Sequence, residues 1–365
     1  MAAYKYLFLL AMLGLHCSSA SRKPVKNSDD ESIVHRVVKD GLNYPWEILW
    51  GPDNHIWMTE REGRISRVDP QTGNQEVLLD VPGTVDKGEG GLLGMVLHPN
   101  FADTPHLFVA CNYEGAKGYK EKIIRYTYNG STLTDPLVIF DNIEAAYIHN
   151  GCRMLILPDH TLLFSTGDAS NQSLPQNKTA VNGKLLRLHL DGSIPADNPM
   201  PGNPVWSYGH RNIQGLVMAH NRIYASEHGP DTDDEVNLLE KGGNYGWPKV
   251  KGFCDDAGER AFCKQNNIQE PLYAWTPTIA VCGMDYYGDG PIKQWKNSLL
   301  MTTLKDATLY QLPLDSSYDK ITQVNTFLSH SYGRLRDVCI APNGKVYLCT
   351  SNGDKEDKLI VVEGR

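Results

Sequence analysis

Apolar and polar positions along this chain follow a short repeated pattern. A turn of the Pro-Asp or Pro-Asn type leads into about three β-branched, aromatic or aliphatic residues, and another polar turn then introduces a further run. The pattern is clearest at Pro52-Asp53-Asn54-His55 before Ile56-Trp57-Met58, at Pro158-Asp159-His160 before Leu162-Leu163-Phe164, and at Pro342-Asn343-Gly344 before Val346-Tyr347-Leu348. Looser copies follow Pro99-Asn100 (Leu107-Phe108-Val109), His220-Asn221 (Ile223-Tyr224-Ala225) and Lys296-Asn297 (Leu299-Leu300-Met301). Long stretches with helical apolar spacing are hard to find, and glycines and prolines punctuate the whole length. Six copies at intervals of about 45 to 80 residues predict an all-β fold, a six-bladed β-propeller of four-stranded antiparallel blades. A pair of β-sandwiches is the alternative, but sandwiches do not require such recurrence. Blades that bury their faces on one another also explain how so long a chain forms one domain.

The N-terminal segment breaks the pattern. Lys5, the apolar run from Leu7 to Leu15 and the small residues Ser18-Ser19-Ala20 read as a cleaved export signal over residues 1–20. A polar, non-periodic leader over 21–36 follows, then the propeller over 37–365. The expected location is secreted or periplasmic, with lipid anchoring at Cys17 as the alternative. No apolar run reaches the roughly 20 residues of a transmembrane helix. A net charge of -8 without a basic cluster argues against nucleic acid and anionic membranes as partners. Losing Cys17 leaves seven cysteines where disulfides are permitted, so at least one stays unpaired. Cys254 and Cys263 bracket a short polar loop, and Cys339 and Cys349 flank the turn at Pro342; both pairs are expected as local bridges. Asn129, Asn171 and Asn177 begin glycosylation sequons, which act only in a eukaryotic source.

Four segments concentrate unusual residues: Gly88-Glu89-Gly90-Gly91-Leu92-Leu93-Gly94, His149-Asn150-Gly151-Cys152-Arg153, Tyr208-Gly209-His210-Arg211-Asn212, and the acidic run from Glu227 to Glu235. Glycines inside a β repeat mark places where backbone approaches something closely. The acidic run holds Glu227, Asp231, Asp233, Asp234 and Glu235, which repel one another unless solvated or bound to a hard cation. Calcium, with six to eight oxygen ligands including carbonyls such as those of Gly229 and Pro230, suits it; a solvated acidic loop is the alternative. His149 precedes the strand that begins near Met154, either as a turn residue or as a base. Arg334 and Arg336 alternate so that both leave one face of a strand, which favours a polycarboxylate or phosphate or else a solvated face. Lys305 alone carries no signal.

Taken in order, the Gly88 segment with His98-Pro99-Asn100-Phe101, then His149, Tyr208 to Gly215, Gly229 to Glu235, Gly242-Gly243-Asn244-Tyr245-Gly246-Trp247-Pro248 and Gly333 to Asp337 resemble the glucose/sorbosone dehydrogenase family from about Leu42 to near the C terminus. The resemblance implies a soluble quinoprotein that oxidises aldose sugars to lactones, with pyrroloquinoline quinone (PQQ) over the channel mouth, a Ca2+ clamping it, and an external electron acceptor. It makes His149 the base and places Arg211 and Asn212 on the reactive carbonyl edge of the cofactor. It sets Lys305, Arg334 and Arg336 on the cofactor's carboxylates, with Trp275 and Thr278 in a segment lining the site. Glu89 falls on the same cofactor-binding surface. Gly229 and Pro230 match carbonyl ligands of the cofactor calcium, beside the acidic Asp234, and Glu235, Tyr245 and Asp255 match a second calcium site.

Two positions depart from the family pattern. Glu89 stands where the glucose-oxidising members carry Gln, which puts a carboxylate beside an acidic cofactor. Ile148 stands where they carry Asp, so the base is expected to lack its orienting partner. A second class of function remains open: a non-catalytic carbohydrate- or protein-binding propeller, because hedgehog-interacting proteins also resemble this family. Keeping His149, Arg211, Arg334 and Arg336 together speaks for the enzyme, as does the absence of a Cys-rich module. A calcium-dependent propeller hydrolase needs only metal and base and does not call for paired arginines.

Overall fold

A computed structural model describes Val25–Asn27 and residues 32–365. Its strands form six sheets, each a blade of four antiparallel strands, one of them extended by a fifth strand. The first blade runs through Pro45–Trp50, Ile56–Glu60, Arg64–Val68 and Gln75–Asp80, and the second through Leu92–Leu97, His106–Gly115, Gly118–Tyr128 and Leu133–Glu144. The third holds Gly151–Ile156, Thr161–Thr166, Lys184–His189 and Val205–Tyr208; the fourth Ile213–Ala219, Arg222–Glu227, Asp234–Leu239 and Tyr273–Trp275. Val281–Tyr287, Ser298–Thr303, Leu309–Pro313 and Val324–Phe327 make the fifth, and Leu335–Ile340, Val346–Thr350 and Asp357–Gly364 begin the sixth. The first strand of every blade packs against the first strands of its two neighbours, so six inner strands close a ring around a central channel. The six expected turns are the hairpins that join each inner strand to the second strand of its blade.

The ring is locked by its own N terminus. Ile33–Leu42 supplies the outer strand of the sixth blade, paired antiparallel to Asp357–Gly364. The blade sheet therefore begins at Ile33, ahead of the boundary at 37 expected from the sequence. Val25–Asn27, in the expected leader, pairs parallel to Val324–Thr326 as a fifth strand on the fifth blade. Residues 1–20 and Cys17 lie outside the described residues. Among those described, no helix is long and apolar enough to cross a membrane.

Each interblade space holds one apolar cluster, and there are six. Trp57, Leu107 and Tyr126 are buried between blades one and two, Phe108, Phe164 and Leu186 between two and three, and Leu163, Trp206 and Ile223 between three and four. Tyr224, Leu299 and Tyr310 lie between four and five, Trp295, Leu300 and Leu348 between five and six, and Ile56, Met58 and Val361 between six and one. Because blades stack on both faces, strands such as Ile56–Glu60, Thr161–Thr166 and Ser298–Thr303 are buried at every position. This two-sided burial is why their sequences read as continuous apolar runs rather than alternation.

The all-β expectation holds with one insertion. Between Leu239 and Tyr273 the fourth blade carries the helix Ala257–Asn266, capped by the Asp256 carboxylate, which accepts from the Glu259 N–H at 2.8 Å. The Cys254–Cys263 disulfide ties this helix to its entry loop, as expected. The expected Cys339–Cys349 bridge is absent, and both thiols are free and buried. Cys349 lies opposite Asp337, and Cys339 opposite Tyr347, so the two cysteines are diagonal neighbours. That separation, about 7–8 Å, exceeds the reach of a disulfide.

Two buried carboxyls make stability depend on pH. Burial drives Glu121 up to about 8, although the Cys152 thiol (2.6 Å) and Asn112 Nδ2 (3.2 Å) donate to it. Burial likewise raises Asp285 to about 7, against the N–H groups of Tyr286 and Ile340. Both folded values lie above the unfolded ones, so their contribution is complete below the unfolded carboxyl range and is lost as pH rises through 7 to 8. The expected result is a melting temperature that falls between about pH 5 and pH 8.5, with a shallower fall in Glu121→Gln. Calorimetry across that range checks it; an equally steep fall in the variant would remove Glu121 from the account.

Candidate active site

All six inner strands slip register close to their start. The shifts fall between Pro45 and Glu47, Leu92 and Met95, Gly151 and Met154, Ile213 and Gly215, Val281 and Met284, and Leu335 and Asp337. A bulge leaves one or two residues unpaired, twists the strand and re-aims their side chains. The residues released this way include Trp46, Leu93, Arg153, Gln214, Cys282 and Arg336. Trp46, Leu93, Gln214 and Arg336 line a cavity of about 350 Å³ at this end of the channel, and every blade contributes to its wall. That volume is within the range of small-molecule sites.

Four arginines lie in or beside the cavity, and the two on its sixth-blade wall, Arg334 and Arg336, have no carboxylate partner. Arg336 is buried, with Nη1 donating to Gln214 Oε1 (3.1 Å) and in contact with Cys282 Sγ (3.2 Å), while its Nε has no partner. Arg334 lies on the same wall, with Nε donating to the Ser351 carbonyl at 3.1 Å. Burial, then repulsion from Arg336, lowers its pKa. Arg61, which the sequence reading did not single out, also reaches the cavity; it pairs with Asp86 and lies over the Tyr44 ring, yet leaves Nε buried and unpartnered. Arg211 stacks 5.4 Å from the Trp247 ring and donates to the His228 carbonyl at 3.3 Å; burial lowers its pKa, and its Nε is also unpaired. Among the described residues, neither Arg211, Arg334 nor Arg336 has a carboxylate at ion-pair distance. Arg334 and Arg336, on one wall of the cavity and without a carboxylate partner, suit an anionic ligand.

His149 lies on the loop that enters the third blade, between Tyr147 and Asn150, which both line this cavity. Its Nδ1 is 2.8 Å from Asp168 Oδ1. The second oxygen of Asp168 accepts from Trp247 Nε1 at 2.9 Å, and Oδ1 also accepts from the Ser170 N–H at 2.8 Å. Asp168 is almost fully buried and its acceptors face donors on every side, so it holds the imidazole with its proton on Nδ1 and leaves Nε2 free to take one. The expectation that the base lacks an orienting carboxylate at position 148 is thereby corrected: Asp168 supplies it from the neighbouring loop. Its signal in the sequence was positional, since Gly167-Asp168 closes the fully buried strand Thr161–Thr166 at the channel mouth.

The other candidates fall into three groups. Glu89 lines the cavity and accepts from the His149 N–H at 2.9 Å. Asn212 is buried and does not line the cavity, accepting from the Gly151 N–H at 3.1 Å, with Nδ2 unpartnered. Lys305, next in sequence to the cavity residue Leu304, forms an exposed pair with Thr278, with Nζ donating to Oγ1 at 3.2 Å. Gly229, Pro230, Glu235 and Tyr245 surround a second, much smaller space together with Arg211, Glu227 and Asp233; His228 belongs to both walls. There Glu227 and Glu235 face each other across paired strands, and burial, then repulsion from Glu227, pushes Glu235 up to about 8. Trp275 sits instead in the core between blades four and five, edge-on to Tyr310 at 5.7 Å. Asp255 is exposed on the loop before the inserted helix. Asp234 spends its oxygens on the N–H groups of Gly229, Ile279, Ala280 and Val281, so it latches blade four to blade five. No group of three or more His, Cys, Asp or Glu side chains among the described residues is arranged to hold a metal.

Fold and site together define a propeller enzyme with a held base beside unpaired cations. The chain is 31% identical to the quinoprotein glucose dehydrogenase B of Acinetobacter calcoaceticus, over 90% of this chain and 87% of that protein. It is 30% identical to the aldose sugar dehydrogenase YliI of Escherichia coli, over 88% and 90% of the two chains. The solved PQQ-bound aldose sugar dehydrogenase of Streptomyces coelicolor superposes with a TM-score of 0.81 at 32% identity, covering 94% of this chain and all of that one. The sequence profile of the glucose/sorbosone dehydrogenases matches residues 42–361, and the chain belongs to that family.

The His149–Asp168 pair makes a prediction that does not depend on any ligand. An amide at position 168 turns one acceptor into a donor, and toward His149 it favours the tautomer with the proton on Nε2. Nitrogen-15 NMR of the apoprotein should show Nδ1–H in the parent and Nε2–H in Asp168→Asn. The same tautomer in both would mean that Asp168 does not set it.

Proposed function

We propose that this protein oxidises an aldose at its anomeric carbon to the lactone, using PQQ held over the channel mouth with calcium and passing electrons to an external acceptor. The observation that carries this reading is Arg334 and Arg336 on one cavity wall, neither with a carboxylate at ion-pair distance, near a base already fixed by a carboxylate. A tricarboxylic cofactor matches those arginines in charge and in number of acceptors. Arg334, Arg336 and Lys305 would hold its carboxylates, and Arg211 and Asn212, with unpaired Nε and Nδ2, its carbonyl edge. Bound PQQ supplies the two-electron acceptor.

The protein's own part is proton handling and orientation. His149 Nε2 takes the proton of the anomeric hydroxyl, and Asp168 stabilises the imidazolium that results. Arg211, stacked on Trp247, adds positive charge where the substrate oxygen becomes anionic. Calcium suits the backbone carbonyls of Gly229 and Pro230, a ligand type that needs no side-chain cluster, and a second ion suits Glu235 beside Glu227. The signal segment supports export, where reoxidation by an external acceptor would take place.

Titrating calcium-loaded apoprotein with PQQ, followed by dye reduction over a panel of aldoses, tests the reading. Stoichiometric binding and sugar-dependent reduction are expected. His149→Ala should lower kcat by about 100-fold or more while retaining the cofactor. Arg336→Ala should weaken cofactor binding by about tenfold or more, because a charged hydrogen-bonding group is lost. Failure to bind PQQ at about micromolar concentration, against the affinity this many charged contacts should give, would sink the reading.

A further inference from the structure

We infer that Glu89 is the positioning residue of the base, acting on the main chain of His149; the inference rests on the dehydrogenase reading above. His149 is not glycine, yet its φ is +63°, in the left-handed region. That conformation is disfavoured for a residue with a side chain, so something must hold it. Glu89 Oε2 accepts from the His149 N–H at 2.9 Å, and the Glu89 N–H donates to the Tyr147 carbonyl at 2.8 Å. The two bonds join the entry loops of the second and third blades directly at the base. A carboxylate oxygen is a strong acceptor for this N–H, and the bond opposes the backbone cost of the turn.

The surroundings are shaped for the same end. Gly88 has φ +65°, and a Cβ there would collide with the Tyr147 carbonyl, so glycine is required for Glu89 to approach. A Cβ on Gly167 would collide with the His149 carbonyl, which instead accepts from the Ala169 N–H at 3.1 Å. His149 is thus gripped through its N–H by Glu89, through its C=O by the loop after Gly167 and through its ring by Asp168. Direct ligation of an anionic cofactor is the competing role for Glu89. A carboxylate only accepts hydrogen bonds, as do the carboxylates it would meet, so that role needs an added proton or metal, whereas the grip on His149 needs nothing more.

Glu89→Gln keeps an oxygen that can accept from His149 N–H; Glu89→Ala removes it. In the apoprotein, hydrogen exchange at the His149 amide, resolved by NMR, should speed up about tenfold or more in Glu89→Ala and stay near the parent rate in Glu89→Gln. In the loaded enzyme, Glu89→Ala should lose about 10- to 100-fold in kcat, with PQQ affinity retained or improved and the sugar KM little changed, and Glu89→Gln should recover most of that loss. Unchanged amide exchange in Glu89→Ala overturns the inference. So does a loss of PQQ affinity in both variants with kcat per bound cofactor intact. If the parent protein does not bind PQQ, the dehydrogenase reading fails, and the exchange measurement still decides whether Glu89 grips His149.

Discussion

The site depends on one buried guanidinium at the centre of the ring. Arg153, from the third blade, forms ion pairs at 2.9 Å with Glu47 of the first and Asp337 of the sixth, and its Nε donates to the Gln214 carbonyl of the fourth at 2.6 Å. Burial works against its charge, but the two carboxylates more than offset this and hold its pKa above the ordinary arginine range. Asp337 in turn accepts from the Ile48 N–H at 2.8 Å. Buried ion pairs often stabilise no better than apolar packing of the same volume, whereas removing one partner costs about 3–5 kcal/mol. The contribution of this hub is therefore registry: four of the six inner strands are fixed to one cation, and their bulged starts are held at set heights around the channel.

Trp46 divides that neutralised hub from the unneutralised mouth. Its ring carries Arg153 at 4.2 Å and Arg336 at 5.8 Å. The two arginines share an aromatic partner and differ in everything else. Arg153 meets two carboxylates, while Arg336 meets an amide oxygen and a thiol and leaves Nε bare. A fold that supplies carboxylates to one buried guanidinium and withholds them from the next has kept a place for negative charge from outside. Electrostatics thus locates the ligand more sharply than the shape of an open cavity does.

What the sequence made legible follows the same division between local and long-range causes. The six hairpin turns are local, carried by Pro, Asp, Asn and Gly at fixed offsets, so the propeller could be counted from them. Closure of the sixth blade by Ile33–Leu42 joins residues more than three hundred positions apart, and no local pattern announces it. Cys339 and Cys349 looked like partners because they flank one turn; strand register made them diagonal. Asp234 lay within an acidic run that suggested a cation, but four backbone N–H groups converge on it, and three of them come from the segment 279–281. The arginines and His149 were readable as chemistry. Their convergence was not, because it depends on six register slips that each need a partner strand to be defined.

Asp168 shows why the missing partner of a base should be sought by geometry rather than by adjacency. A residue next to His149 in sequence would share its left-handed turn and move with it. Asp168 belongs to the loop after Gly167, and its second oxygen is tied to Trp247 of a different blade. The ring of His149 is therefore referenced to the fourth blade and, through Glu89, its main chain to the second. A side chain fixed from two blades on either side of its own cannot drift with any one loop. Precision of that kind is what a general base needs, since misplacement by about 1 Å can cost a hundredfold in rate.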